Sequence, residues 1–352
     1  MTLLRHLAAA IVVALILVLL SIQIGSYRDY QMAEVAAYVA AVAGLTVLIG
    51  LSGQISIGNG AFMAVGAYGG ALLLIHLNWP LELVLLASVV VAAVSGAIFG
   101  LAAARLRGPY LAGATLMLAV ALPTLADQYA GAFGGDQGLS TSINTPAFLG
   151  PTFPPTRWLA WVTCAGALII LVLLANLGRS RVGRSWRAVR DDEVAASLAG
   201  LNVARLQILA FVVSAACAGL GGALLALVTG IVAPGAYTLT LSIGLLTAAV
   251  VGGLGSLLGA VWGSLLLVLV PTYLTNVAAS HGFSGAASSS VPIAAYGVVL
   301  IVVMLVFPAG IQGGLRRLFG PAVPAAAAPI NVLRRRRPAS EHQEEGTHEK
   351  IT

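Results

Sequence analysis

The chain has 352 residues, 59% of them hydrophobic and only 9% charged, with a mean hydropathy of +0.98 and a formal net charge of +6. A soluble globular chain carries about 25% charged residues, so the composition is that of a polytopic membrane protein with no room for a large extramembrane domain. The arginines lie in loops and tails, where membrane topology puts them, so the positive balance is no nucleic-acid signal.

An all-α fold follows, because lipid forces backbone polar groups to be satisfied within each span. Hydropathy predicts about ten spans, over 7–24, 33–51, 54–76, 81–104, 109–129, 157–176, 207–229, 237–254, 256–276 and 291–307. The first follows Arg5. It is too long for the apolar region of a signal peptide and lacks a clear small-residue cleavage site, so it is read as an uncleaved span. Residues 1–32 thus form a first span and external loop, and 33–315 the transmembrane domain.

The segment 50–70 crowds Gly50, Gly53, Gly58, Gly60, Gly66, Gly69 and Gly70 into one span, with Gln54, Ser56 and Asn59 as polar members and Tyr68 further on. Two readings stay open: small residues for close helix packing, or a broken helix lining a translocation path. Ser56-Ile57-Gly58 with Gly66 is echoed by Ser242-Ile243-Gly244 with Gly252 and Gly253. If the echo is real, the chain is an inverted repeat of two five-span halves, and the path lies where they meet.

Arg105 and Arg107 follow span four, a cluster from Arg179 to Arg205 follows span six, and Arg316, Arg317 and Arg334–Arg337 follow span ten. With Arg5 they share one side, which makes both termini cytoplasmic under the positive-inside rule. Arg28 and Arg157 are left for the outside. The Gly/Pro/Ser/Thr-rich stretch 129–156 is then the longest external loop. Asp127 reads as an interfacial residue, and Trp79, Trp158 and Trp161 as interfacial anchors. Residues 316–352 are expected to be a cytoplasmic tail, disordered beyond about Pro321, whose basic cluster either reinforces topology or touches anionic lipid.

Cys164 and Cys217 fall in apolar runs and read as packing residues, and the five histidines lack ligand spacing, so no metal is expected. No Asp, Glu, Lys or Arg occurs from Leu206 to Leu315, which counts against a proton relay.

The loop 177–206 is the chemically distinctive part. Burying its charges would cost about 2.5–3.5 kcal/mol each at a bilayer centre, so it lies in water. Arg187 and Arg190 lead into Asp191, Asp192 and Glu193, then Ala195, Ala196 and Gly200. Asp191 or Asp192 suits a helix N-cap, Glu193 complements the dipole, Gly200 suits a left-handed stop, and Asn202 caps the next helix. A short surface helix of about two turns is predicted, small-faced enough to sit in a groove of another protein. An ordinary solvated loop is the plain alternative.

The run Arg187-Ala188-Val189-Arg190, Asp191–Glu193, Ala195-Ala196, Gly200-Leu201 and Ala210-Phe211 resembles the coupling loop of branched-chain amino-acid permeases of LivM type, from ATP-binding-cassette importers. Further ordered matches are Gly53–Gly58 with Phe62 and Gly66–Tyr68, Arg107-Gly108 with Tyr110–Ala112 and Ala114–Leu116, Gly134-Gly135 with Gly138-Leu139, and Gly252–Ser256. Together they span roughly 35–315. Ser197 and Gln207 depart from the acidic and basic residues common there. The resemblance implies a second permease of LivH type, two cytoplasmic ATPases docked on the short helix, an external solute-binding protein, and branched-chain or other hydrophobic amino acids as cargo. Urea or short amides are an alternative cargo; an autonomous channel or ion-coupled carrier is the rival class. Lys350 is the only lysine, so the chain has no phosphate-binding loop and any ATP is used by partner subunits, with no cofactor bound here.

Overall fold

The computed structural model describes residues 2–77, 79–106, 109–141, 153–280 and 286–319. Arg107-Gly108 and the tail beyond Phe319 lie outside the described residues. Met1–Gly314 form one compact unit and Leu315–Thr352 a second.

The helices are α1 (Thr2–Gln23), α2 (Ser26–Ser52), α3 (Asn59–Leu77), α4 (Leu81–Ala103), α5 (Pro109–Gln128), α6 (Ala130–Phe133), α7 (Pro155–Arg179), α8 (Arg181–Asp191), α9 (Glu193–Leu198), α10 (Val203–Thr229), α11 (Leu239–Gly252), α12 (Leu257–Ser280), α13 (Ala286–Val306) and α14 (Gly310–Phe319). Two two-residue strands, β1 (Leu139–Ser140) and β2 (Ile231–Val232), pair antiparallel. Among the described residues ten helical segments are long and apolar enough to cross a membrane, as the hydropathy predicts.

The core is α2, α3, α4 and α10, packed so closely that backbone meets backbone. A side-chain carbon on Gly222 would collide with the Met63 carbonyl, one on Gly66 with Gly219, and one on Gly221 would lie 2.7 Å from the Ala37 oxygen. Helices in lipid gain little from hydrophobicity between themselves, so close van der Waals packing carries the association. By contrast α1 is exposed along most of its length and presents Ile11, Leu15, Leu19 and Ile22 outward.

Helix direction follows from the contacts. Arg190, in the charged loop after α7, donates to the carbonyl of Gly50 near the end of α2. The start of α2 and the start of α7 are joined at the far end by the Asp29–Arg157 ion pair, 3.3 Å. The molecule thus has a basic end, bearing α8 and α9, and a far end.

One predicted span differs in its first quarter. Residues 53–58 are not helical, and α3 starts only at Asn59. The reason is Gly53: its left-handed backbone (φ 78°) ends α2, and its N–H bonds the Ile49 carbonyl. The chain then turns back into the bundle. Asn59 Nδ2 donates to the Ala41 carbonyl, eleven residues before α2 ends, a depth of about 16 Å.

The same construction recurs in the second half, upside down. Like α2, α10 is 27 residues long and stops at a left-handed glycine, Gly230 (φ 73°). A stretch without α-helix, 230–238, which holds a short 3-10 helix at Pro234–Tyr237, re-enters from the far end, and α11 runs from the interior to the basic end. The N-termini of α3 and α11 meet inside the bundle, where the Gly60 N–H donates to Ser242 Oγ at 3.2 Å. An inverted repeat is therefore present, but it pairs Gly53 with Gly230. Ser56 sits in a non-helical break and Ser242 in the first turn of a helix, so the Ser-Ile-Gly echo does not mark equivalent positions.

Candidate functional site

The charged loop folds as two helices where one was predicted. Ser180 caps α8, its hydroxyl accepting from the Gly183 N–H. Asp192 caps α9, its Oδ1 accepting from Val194 and Ala195 N–H at 2.8 and 3.0 Å. Gly200 (φ 85°) stops α9, and the Asn202 side chain accepts from the Arg205 N–H to start α10. Asp191 does not cap; it pairs with Arg190 at 3.1 Å on the surface.

α9 stands out from the bundle. Ala196 is buried beneath it, while Ala195 is exposed and Val194 and Leu198 are 69% and 84% exposed. An apolar pair on a six-residue helix gains nothing by facing water. Beneath the loop, Trp186 is fully buried and its indole N–H donates to the Leu206 carbonyl at 2.8 Å. Sequence reasoning missed this anchor, although a tryptophan inside an otherwise charged loop was its signal.

Arg187 and Arg190 turn their guanidinium groups toward their own chain. Arg187 donates to the Gly183 and Gly178 carbonyls, and Arg190 Nη1 to the Gly50 carbonyl at 2.6 Å. Glu193 accepts from Gln207 Nε2 at 3.0 Å. Gln54 Nε2 donates to the Gln207 carbonyl at 3.3 Å and to Ser52 Oγ at 2.7 Å. The loop is thereby joined to the break at 53–58. Gln207 supplies a neutral partner for Glu193.

The predicted path residues separate into three places. Gln54, Ser56, Gly58 and Asn59 line the inner break, with Ser242 beside them. The Ile57 N–H donates to Thr115 Oγ1 at 3.0 Å, and Ser214 Oγ donates to Asn59 Oδ1 at 3.3 Å. Ser56, Asn59, Thr115, Ser214 and Ser242 are all buried. A side chain on Gly58 would lie 2.7 Å from the Thr115 carbonyl, so packing alone requires that glycine. Gly66 and Tyr68 lie further along α3; Tyr68 packs edge-on to Phe133 at 5.2 Å and near Tyr237. Gly252 and Gly253 (φ 117°) form the turn from α11 to α12 at the basic end, away from the interior polar group.

Asn59→Ala is expected to cost roughly 1–3 kcal/mol, because Ser214 then keeps a buried hydroxyl without its partner. Thermal unfolding of the purified protein measures this, and an unchanged midpoint would contradict it.

A ten-span helical bundle with two opposed breaks and a capped charged loop at one end has the architecture of a membrane permease. The sequence profile described as the branched-chain amino acid transport system / permease component matches residues 27–308, and the chain belongs to that family. It is a multi-pass protein of the bacterial inner membrane.

The chain is 34% identical over 255 residues to the high-affinity branched-chain amino acid transport system permease protein LivM of Escherichia coli and to that of Salmonella typhimurium. Each match covers 66% of this chain and 60% of the relative, so the similarity spans about three fifths of those proteins. LivH of Escherichia coli is 32% identical over 195 residues, covering 55% of this chain and 56% of its own. No solved structure matches.

Proposed function

We propose that the chain is the permease subunit of an ATP-binding-cassette importer that moves branched-chain or other hydrophobic amino acids into the cell. The observation that carries the reading is α9: a capped helix with exposed Val194 and Leu198, tied through Glu193, Gln207 and Gln54 to a break in the bundle. A motor docking there has a handle on the interior. The basic end faces the cytoplasm, in keeping with the positive-inside rule.

Two cytoplasmic ATPases, a second permease of LivH type and an external solute-binding protein complete the transporter. The chain itself does no chemistry, binds no ATP and contributes no cofactor. Similarity to LivM and LivH, permease proteins of branched-chain amino acid transport systems, supports the amino-acid cargo; urea or short amides are the competing cargo.

The test is uptake by the complete transporter in vesicles, with leucine and urea as solutes. Asp192→Ala with Glu193→Ala removes the cap, worth about 1 kcal/mol to a six-residue helix, and the link to Gln207. ATP-driven leucine uptake is expected to fall about tenfold while membrane insertion is unchanged. Unchanged uptake would refute a coupling role. Flux through the chain alone, without ATP or partners, would favour a channel or carrier, and urea uptake in place of leucine would correct the cargo.

A further inference from the structure

The two breaks are each held at their glycine by a loop from the opposite half of the repeat. At the basic end Arg190, from the second half, takes the Gly50 carbonyl at 2.6 Å, and a side chain on Gly53 would lie 2.7 Å from Arg190 Cγ. At the far end the holding residues come from the first half. The Thr141 N–H donates to the Gly230 carbonyl at 2.8 Å, and its hydroxyl donates to the Ala226 carbonyl at 2.7 Å. Leu139 and Ser140 pair with Val232 and Ile231. Gly138 (φ 70°) lies so close to the Val232 carbonyl that a side chain there would collide with it.

These contacts fasten the loop to the end of α10. The Ala226 carbonyl already accepts the Gly230 N–H at 2.9 Å, so the Thr141 hydroxyl is a second donor there, while the Thr141 N–H satisfies the Gly230 carbonyl beyond the helix end; Thr141 itself is only 1% exposed. The β1–β2 ladder is a different kind of contact. Two residues per strand is far short of an independently stable hairpin, Ser140 is exposed, and Ile231 is 50% exposed. A well-anchored threonine followed by a weak ladder is a joint that opens at low cost while keeping its register on closing.

We propose that Thr141 and the Leu139–Ser140 strand are positioning residues for the Gly230–Thr238 break, and that the ladder must part from Ile231–Val232 once in every transport cycle. The proposal rests on the permease reading above. The crossed arrangement gives it a physical sense: a loop of each half restrains the other half's re-entrant segment, so each end has its own release.

The experiment uses the complete transporter in vesicles, with Cys164 and Cys217 replaced by alanine, and introduces Ser140→Cys with Ile231→Cys. Directly opposed antiparallel residues are about 4.5–5.5 Å apart at Cα, within the range a disulfide spans. In the reduced state leucine uptake is expected at the rate of the cysteine-free parent. Oxidation is expected to lower it about tenfold, with recovery on adding dithiothreitol and no effect of oxidant on either single-cysteine variant.

Thr141→Val is expected to raise the ATP hydrolysed per leucine transported, with Thr141→Ser restoring the parent ratio; a merely structural threonine would change protein yield and leave that ratio alone. Full uptake with the crosslink formed, or failure of the two cysteines to join, would overturn the proposal. Absence of both leucine and urea uptake in the reduced form and the cysteine-free parent alike would instead overturn the permease reading, and the proposal with it.

Discussion

Gly222→Leu is expected to abolish accumulation of folded protein. The position lies where α10 crosses α3, and a side-chain carbon there would collide with the Met63 carbonyl oxygen. The obstacle is backbone in the middle of a helix, so no rotamer change relieves it, and the whole of α3 must move. Overpacking typically costs about 1–3 kcal/mol where side chains can give way; against a fixed carbonyl the cost exceeds that range. The same crossing also brings Gly66 onto Gly219, so any displacement of α3 loses contact along its length. Gly113→Leu is the control, since nothing lies within 4 Å of a side-chain carbon at that exposed position on α5. Size-exclusion profiles and thermal midpoints in detergent should separate the two, with the Gly113 variant near the parent. Equal behaviour would show that the crossing tolerates separation.

Asp29→Ala is expected to destabilise the protein by about 3–5 kcal/mol, the usual consequence of removing one member of a buried ion pair. Asp29 is fully buried at the far end of α2, and Arg157 Nε lies 3.3 Å from its Oδ2 with a side chain 20% exposed. Ser21 Oγ donates to the other carboxylate oxygen at 2.8 Å, and Trp161 Nε1 donates to Ser21 Oγ at 3.3 Å. Arg157 Nη2 also donates to the Ile24 carbonyl at 3.3 Å. This network joins α1, α2 and α7, and nearer the other end of α1 His6 Nδ1 and Asn176 Oδ1 of α7 are hydrogen-bonded at 3.0 Å. Removing both charges in Asp29→Ala/Arg157→Ala should cost less than the two single changes added together, by about 0.5–3 kcal/mol of coupling. Thermal unfolding of the four proteins measures the cycle, and strict additivity would refute the pairing.

The caps around α9 are legible in the sequence because capping is local. Asp192, Gly200 and Asn202 act on backbone groups within three residues of themselves, so residue type and spacing suffice to place them. Span count is legible for a similar reason, each span needing only about 20 apolar residues in a row. The Asp29 network is not. Charge counting places Arg28 and Arg157 on the same side, but Asp29, Ser21 and Trp161 come from three separate helices. Their meeting is a property of packing, as is the route from Glu193 through Gln207 to Gln54.

The sequence by itself determined an all-helical protein with ten spans, the sites of its charged loops, and the caps that shape the short helix between α8 and α10. Apolar length and local hydrogen bonding decide these matters, and both are written along the chain. Tertiary structure alone decided that span three opens as a non-helical segment, that Gly53 and Gly230 are the equivalent points of the inverted repeat, and that Arg190 and Thr141 hold the opposite half. A backbone in lipid can leave the helix only where another element supplies its lost partners, and those partners lie up to 182 residues away, as Ser242 does from Gly60.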